Sequence, residues 1–325
     1  MKHSDIEDAL RTLFGIDLER CQRLPGEADL NTHVIARGGE QYVFKVHSPA
    51  ASIAALDMQD AALAIVADTL AAHSSCPNTP RLVRREVLEV DGNQHIARLL
   101  TWVDGQPADT STSSPDHRRS IGTVVAATDE ALVGFEHAAT ERLYRWNMLQ
   151  CTGLRAPSHH WAAETLQSFA QTTLPQLIAL PQQTIHNDAN DANIVVAPDG
   201  SLSLIDYGDV VRGPRVVGLG VAAAYAMLGQ LDPLAAAADV VSGYHQAAPL
   251  EPDELAVLDA VIRTRLAMSI ALAELQVHEH PHNTDYLLVS QAAISNVVEL
   301  LGAIPQAVAH ATYRNACGYV PISSQ

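Results

Sequence analysis

The pattern of apolar and polar positions divides the chain into a strand-rich front part and a helix-rich remainder. Strand-like runs fall at Cys21–Leu24, Asn31–Arg37 and Gln41–His47, and the Gly38-Gly39 pair turns the last two into a hairpin. Arg81–Val90 and Gln94–Val103 read as a second hairpin around Asp91-Gly92. Ser4–Phe14 reads as a short helix, with Ser4 as N-cap candidate and Glu7 three residues on. Ser52–Ala72 is a long helical pattern, apolar at Ile53, Leu56, Ala61, Leu63, Ile65, Val66 and Leu70, and Pro77 and Pro80 mark the connector after it.

Residues 1–103 therefore predict a small five-stranded antiparallel sheet with one inserted helix. Residues 104–117 are polar and turn-rich and read as an exposed loop after a hinge. From Ile121 onward most segments read as helix, with Ala222–Leu228, Pro252–Leu275 and Asp285–Leu301 the strongest of the later ones. The pattern predicts an α+β protein in two parts, 1–103 and 104–325.

The exception to the helical pattern is Ile185 to Asp209. Two short apolar runs, Ile194–Ala197 and Leu202–Ile205, flank the turn signal Pro198-Asp199-Gly200. Such a strand-turn-strand brings Asn193 and Asp206 back beside each other. Asp188, five residues before Asn193, adds a carboxylate able to orient a hydroxyl, while Asn193 and Asp206 offer two oxygen ligands for magnesium. An acidic surface hairpin would use the same residues in ordinary turn hydrogen bonds.

His186, Asp188 and Asn193 match His-x-Asp-x-x-x-x-Asn, and Asp206, Tyr207 and Gly208 match a later Asp-x-Gly. The combination resembles the catalytic segment of the aminoglycoside phosphotransferase and choline kinase superfamily, relatives of protein kinases. The resemblance implies a bilobal protein-kinase-like fold, a small sheet lobe over the nucleotide and a larger helical lobe. It implies ATP or GTP as co-substrate, Mg2+ held by Asn193 and Asp206, and Asp188 accepting the proton of an alcohol. His186 then holds the loop through backbone hydrogen bonds. Asp209 is a second metal-shell acid or a turn acid, and Asn190 and Asp191 face either a substrate amine or water.

Lys45 sits mid-strand in Gln-Tyr-Val-Phe-Lys-Val, and with Lys2 it is one of only two lysines in the chain. In kinase-like folds such a lysine neutralises the nucleotide phosphates. Its usual partner is an acid on the first helix, where this chain offers Asp57 and Asp60. Asp57 is the expected partner, because a Leu-acid-x-Gln pattern occurs at that helix in the hydroxylysine-kinase-like branch. The loop from Leu24 to Asn31 lacks Gly-x-Gly-x-x-Gly, so Gly26 and the loop amides are the candidates to meet phosphate oxygens. Arg98 to Gly105 is the hinge candidate, with the adenine edge near Leu100, Trp102 and Val103, and Trp102 reads more as packing than as a stacking platform.

The wider match to the hydroxylysine-kinase-like branch covers the Leu24–Lys45 strands, Arg98–Gly105, residues 185–209 and Gly220–Tyr225, with Arg265-Leu266, Ser269, Asn283 and Tyr286 at late helical positions. It implies a small-molecule partner, an amine-bearing alcohol such as hydroxylysine. Aminoglycoside and homoserine-type acceptors stay open, as does a nucleotide-binding pseudokinase or regulatory module. Trp146-Asn147 departs from a family Trp-Asp pair.

Composition narrows the partners. The 325 residues are 47% hydrophobic and carry a formal net charge of −17, which argues against nonspecific nucleic-acid or anionic-membrane binding. No apolar run approaches the roughly 20 residues needed to span a bilayer. Cys21, Cys76, Cys151 and Cys317 have neither metal-ligand nor disulfide spacing, so a reducing cytoplasm is the simplest compartment. A homodimer is left open. His278, His280 and His282 alternate before and after Pro281, a poor arrangement for a helical metal clamp and better suited to a loop near the substrate mouth.

Overall fold

The computed structural model describes residues 1–26, 29–71, 79–279 and 288–319. Its first lobe is a five-stranded antiparallel sheet in the order β1-β2-β3-β5-β4, from β1 (Leu18–Leu24), β2 (Leu30–Ala36), β3 (Gln41–Val46), β4 (Leu82–Val90) and β5 (Asn93–Thr101). The hairpin turns fall where the glycines predict them: Gly39 and Gly92 have φ of 91° and 77°, a region where side chains with a Cβ are strained.

One face of the sheet buries Val34, Phe44, Val46, Ala97 and Leu99 against an N-terminal helix, α1 (His3–Ala9). That helix is capped differently from expectation: Asp5 reaches back to the Lys2 amide at 2.7 Å, and Ser4 does not cap it. The other face packs on α2 (Ile53–Ala71), whose Met58, Ala62, Leu63, Val66 and Leu70 meet Leu100 and, from the second lobe, Leu132, Tyr207 and Val210. This shared cluster joins the lobes.

Residues 104–117 are not all loop. Gln106–Pro107 forms β6, which adds to a three-stranded sheet with β8 (Ile194–Val196) and β9 (Leu202–Leu204). Pro115 then opens α3 (Pro115–Ala131), with Ser114 as its N-cap. Two strands that periodicity does not reveal, β7 (Gln183–Ile185) and β10 (Val211–Gly213), pair antiparallel and bracket residues 186–210.

Between α3 and β7 lie two short helices, α4 (His160–Ser168) and α5 (Leu174–Ala179). The helical lobe is built round α8 (Pro252–Glu279), buried on nearly every side, with α6 (Arg215–Ala226) packed along it. Arg215 starts α6 well before the expected Ala222, because Pro214 sets the entry and Val216, Val217 and Leu219 are core residues. α7 (Pro233–Ala247) crosses α3 at backbone contact. A Cβ on Gly122 would lie 2.0 Å from the Val240 carbonyl oxygen, and one on Gly243 would lie 1.9 Å from that of Arg119. The chain continues through helices Gln291–Gly302 and Gln306–Ala316. The expected start of the former at Asp285 lies outside the described residues. No single helix among the described residues is long and apolar enough to cross a membrane.

Candidate active site

β7 delivers a tightly held loop. His186, 1% exposed, accepts the Asp188 amide on Nδ1 at 3.3 Å and donates from Nε2 to the Ile205 carbonyl at 3.1 Å. Burial pulls its pKa down, so the ring is neutral and these two bonds select one tautomer. The ring meets Tyr207 edge-on at 4.8 Å. Asn187 adopts φ of 66° and donates to the Trp146 carbonyl at 3.2 Å, which turns Asp188 toward the cleft between the lobes.

The Asp188 carboxylate is held from three sides. Asn193 Nδ2 donates to Oδ2 at 2.7 Å and to the Asp188 carbonyl at 2.9 Å; Asn190 Nδ2 donates to Oδ2 at 3.0 Å; Arg265 Nη2 donates to Oδ1 at 2.7 Å. Asn190, expected to face either a substrate amine or water, is tied into the loop by its bond to Asp188. Its Oδ1 also accepts the amides of Ala192 and Asn193, so it caps the turn and braces Asp188. Asp191 is partly buried, and that burial raises its carboxyl above the ordinary range.

The β8–β9 hairpin turns at Gly200 and returns the chain to Asp206, with Ile205 N donating to the Asn193 carbonyl at 2.9 Å. Asp206 adopts φ of 61° and accepts the Gly208 amide. Its Oδ2 accepts from Lys45 Nζ at 3.0 Å, across the cleft. The Lys45 charge holds the carboxyl down at about 2, although 43% of the side chain is accessible and solvent screens part of the attraction.

The expected bond between Lys45 and Asp57 is not made. Asp57 pairs with Arg85 at 2.6 Å; Asp60 pairs with Arg85 at 3.2 Å and with Arg98, and Gln59 takes Arg98 Nη1 at 2.8 Å. Strand register explains the difference. Lys45, Arg98 and Arg85 are directly opposite one another on β3, β5 and β4, so three cations share one face. The acids of α2 lie over the outer two, and Lys45 is left to Asp206.

Further out, Tyr144 donates its hydroxyl to Asp209, whose carboxyl is raised by burial and by Asp188 nearby. Arg142 donates to the Val210 carbonyl at 2.6 Å and the Gly208 carbonyl at 2.9 Å, pinning the segment after Asp206. Asn147, in place of the family's Asp, caps the turn at Leu149.

The sheet lobe supplies the mouth of the cleft. Asn31 Nδ2 donates to the Pro25 carbonyl and folds the Gly26 turn inward, where a Cβ on Gly26 would lie 2.4 Å from that nitrogen. Leu100 is buried against α2 and Val103 is buried at the lobe junction. Trp102 stacks on His33 at 3.8 Å and lines an open cavity of about 520 Å³ with Gln41, Asp104, Gly105 and Val196. His278 lies in the last turn of α8, while His280 and His282 lie outside the described residues.

A divalent ion fits this donor set. Asn193 turns both bonds of its amide nitrogen toward Asp188, which directs its carbonyl oxygen away, and Asp206 is an accessible carboxylate. Among the described residues no group of three or more His, Cys, Asp and Glu side chains gathers elsewhere as a metal cage. One carboxylate and one amide oxygen suit a hard cation completed by phosphate oxygens and water.

A lysine over a loop Asp, Asn and returning Asp, between a small sheet lobe and a helical lobe, defines a kinase-like phosphotransferase. The chain belongs to the phosphotransferase enzyme family (APH), whose model matches residues 20–257. It is 26% identical over 313 residues to hydroxylysine kinase of Danio rerio, covering 89% of this chain and 88% of that one. To hydroxylysine kinase of Mus musculus it is 22% identical over 315 residues, covering 86% and 84%. The fold is similar to that of a microcompartment-associated aminopropanol kinase (TM-score 0.66, 16% identity, 96% and 98% covered). It is also similar to the amicoumacin kinase hAmiN (TM-score 0.64, 11% identity, 84% and 89% covered). The protein is thus a small-molecule phosphotransferase that acts on a hydroxyl group.

Sequence reasoning did not find Arg98 and Arg85 as the partners of the α2 acids, nor Arg265 and Tyr144 as neighbours of the catalytic loop. For Arg265 a signal was present: it lies within Val261–Leu272, a mostly apolar stretch in which Arg263 is the one other charged residue.

Proposed function

We propose that the protein transfers the γ-phosphoryl group of ATP or GTP to a hydroxyl on an amine-bearing small molecule of the hydroxylysine kind. The observation that carries the reading is the Asp188 carboxylate, braced by Asn190 and Asn193 in the same lobe as Asp206, with Lys45 reaching Asp206 from the sheet lobe. Likeness to hydroxylysine kinases over more than four fifths of both chains supports the acceptor class.

In this reading Lys45 neutralises the nucleotide phosphates, and the Asp206 carboxylate and the Asn193 side-chain Oδ1 would hold Mg2+. The ion, when bound, neutralises charge that builds on the phosphates. Asp188 orients the acceptor hydroxyl and takes its proton as the oxygen bonds to the γ-phosphorus and the bond to the nucleoside diphosphate breaks. His186, neutral and held at both nitrogens, keeps the loop in shape. The carboxylates of Asp188 and Asp191 favour an ammonium nearby.

The test is nucleotide consumption with Mg2+, using ATP and GTP against hydroxylysine, ethanolamine, homoserine, choline and aminoglycosides. Turnover with hydroxylysine or a close amino alcohol, lost in Asp188→Ala, is expected. Nucleotide binding without turnover on any acceptor would sink the reading.

A further inference from the structure

Two arginines on α8, Arg263 and Arg265, sit two positions apart on nearly opposite faces and are treated differently by the fold. Arg263 uses all three guanidinium nitrogens: Nε on Asp259 at 2.7 Å, Nη1 on the Leu301 carbonyl at 2.9 Å and Nη2 on that of Ile304 at 3.1 Å. Arg265 is 2% exposed; its Nη2 donates to Asp188, and Tyr225 is its other hydrogen-bonding neighbour. Its Nε and Nη1 are buried and without a hydrogen-bond partner among the described residues. The guanidinium lies over the Trp146 ring at 4.3 Å and near the Tyr225 ring at 5.5 Å, so its plane is fixed by aromatic faces.

A buried guanidinium with unfilled donors is costly unless a ligand fills them. The ligand must be an acceptor of hydrogen bonds, and an anion answers the arginine charge best. It must also lie close to the reacting hydroxyl, because the guanidinium already touches Asp188. Two hydrogen bonds and the width of the group set that separation at roughly 5–7 Å. The nucleotide phosphates approach from the Lys45–Asp206 side, whereas Arg265 rises from α8 in the helical lobe.

We propose that Arg265 is a specificity-determining residue that binds a carboxylate on the acceptor, so that the acceptor carries hydroxyl, ammonium and carboxylate in one short molecule. The proposal rests on the phosphotransferase reading of the Asp188 site. It adds to it: Trp146 and Tyr225 hold Arg265 in place, and amino alcohols without a carboxylate are poor substrates.

The test compares hydroxylysine, its carboxamide and its decarboxylated analogue as acceptors for the wild-type protein, for Arg265→Lys and for Arg265→Gln. Loss of the carboxylate is expected to lower wild-type kcat/KM about 100-fold, mainly through KM. Arg265→Gln is expected to collapse the acid-to-amide ratio toward one, and Arg265→Lys, which keeps the buried charge, to restore part of it. Equal wild-type rates with acid and amide would overturn the proposal. So would variants that slow both acceptors alike with the ratio unchanged, the result if Arg265 only braced Asp188. Loss of nucleotide affinity in Arg265→Gln, with the ratio intact, would move the residue to the phosphates and overturn it as well. No turnover of any acceptor by the wild type would instead remove the functional reading, and the proposal with it.

Discussion

Lys45 and Arg98 stand directly opposite each other on β3 and β5, two cations side by side on one face of the sheet. Like charges so placed repel, and the arrangement holds because each has its own counter-ion: Asp206 for Lys45, Asp60 for Arg98. The division has a structural consequence. α2 is tied to the outer strands, while Lys45 ties the sheet to the catalytic segment.

Asp60→Asn separates these roles. Arg98 is 3% exposed, so removing its counter-ion leaves a buried charge poorly matched. Because the field of Asp206 persists, a loss of about 2 kcal/mol is expected, below the full penalty for breaking a buried pair. Urea unfolding measures it, and nucleotide affinity should change little because Lys45 keeps Asp206.

Asp206→Asn acts at the other end. It keeps the side-chain shape but removes the carboxylate that pairs with Lys45 and is proposed to hold Mg2+. Turnover should fall at least about 100-fold. A Mg2+ titration of nucleotide binding should lose most of its dependence on the metal; an unchanged Mg2+ midpoint would argue against the assigned ligand.

Asp129 makes stability depend on pH. Its carboxyl is buried between α3 and α7, and that burial lifts its pKa to about 7, against the pull of the Tyr244 hydroxyl at 2.8 Å and of Arg215. The folded protein therefore binds this proton more tightly than the unfolded chain does. The stabilisation is full below the ordinary carboxylate pKa and is lost as pH rises through about 7. The swing is on the order of 4 kcal/mol at most. Asp129→Asn cannot ionise, so its melting temperature relative to wild type should climb between pH 4 and pH 7 and level off above. A gap independent of pH would contradict the assignment.

Gly122→Ala and Gly302→Ala form a matched pair. At Gly122 the new methyl meets backbone of α7 at 2.0 Å, which no side-chain motion relieves, so more than about 3 kcal/mol should be lost. At Gly302 nothing lies within 4 Å, and the helix should gain about 0.5 kcal/mol. Thermal unfolding of the two variants checks both.

The candidate site was legible in sequence because its residues are contiguous: Asp188, Asn193 and Asp206 lie within nineteen residues, the last two flanking a pair of short strands joined by one turn. The five-strand sheet was legible because its hairpin glycines mark the turns. Partner choice was not. Whether an α2 acid meets Lys45 or Arg98 depends on the lateral placement of a helix over paired strands, and no local pattern records it. The same holds for Arg265, which reaches Asp188 from 77 positions away. β7 and β10 are three residues each, too short for periodicity to appear.

The bond between Lys45 and Asp206 spans 161 positions of the chain. Neither lobe alone contains a complete site, and α8 must dock before Asp188 acquires its third support. Contacts of such long range form late, after closure of large loops. During synthesis or refolding, catalytic competence should therefore trail the appearance of secondary structure, and a partly assembled chain should hydrolyse little nucleotide to no purpose.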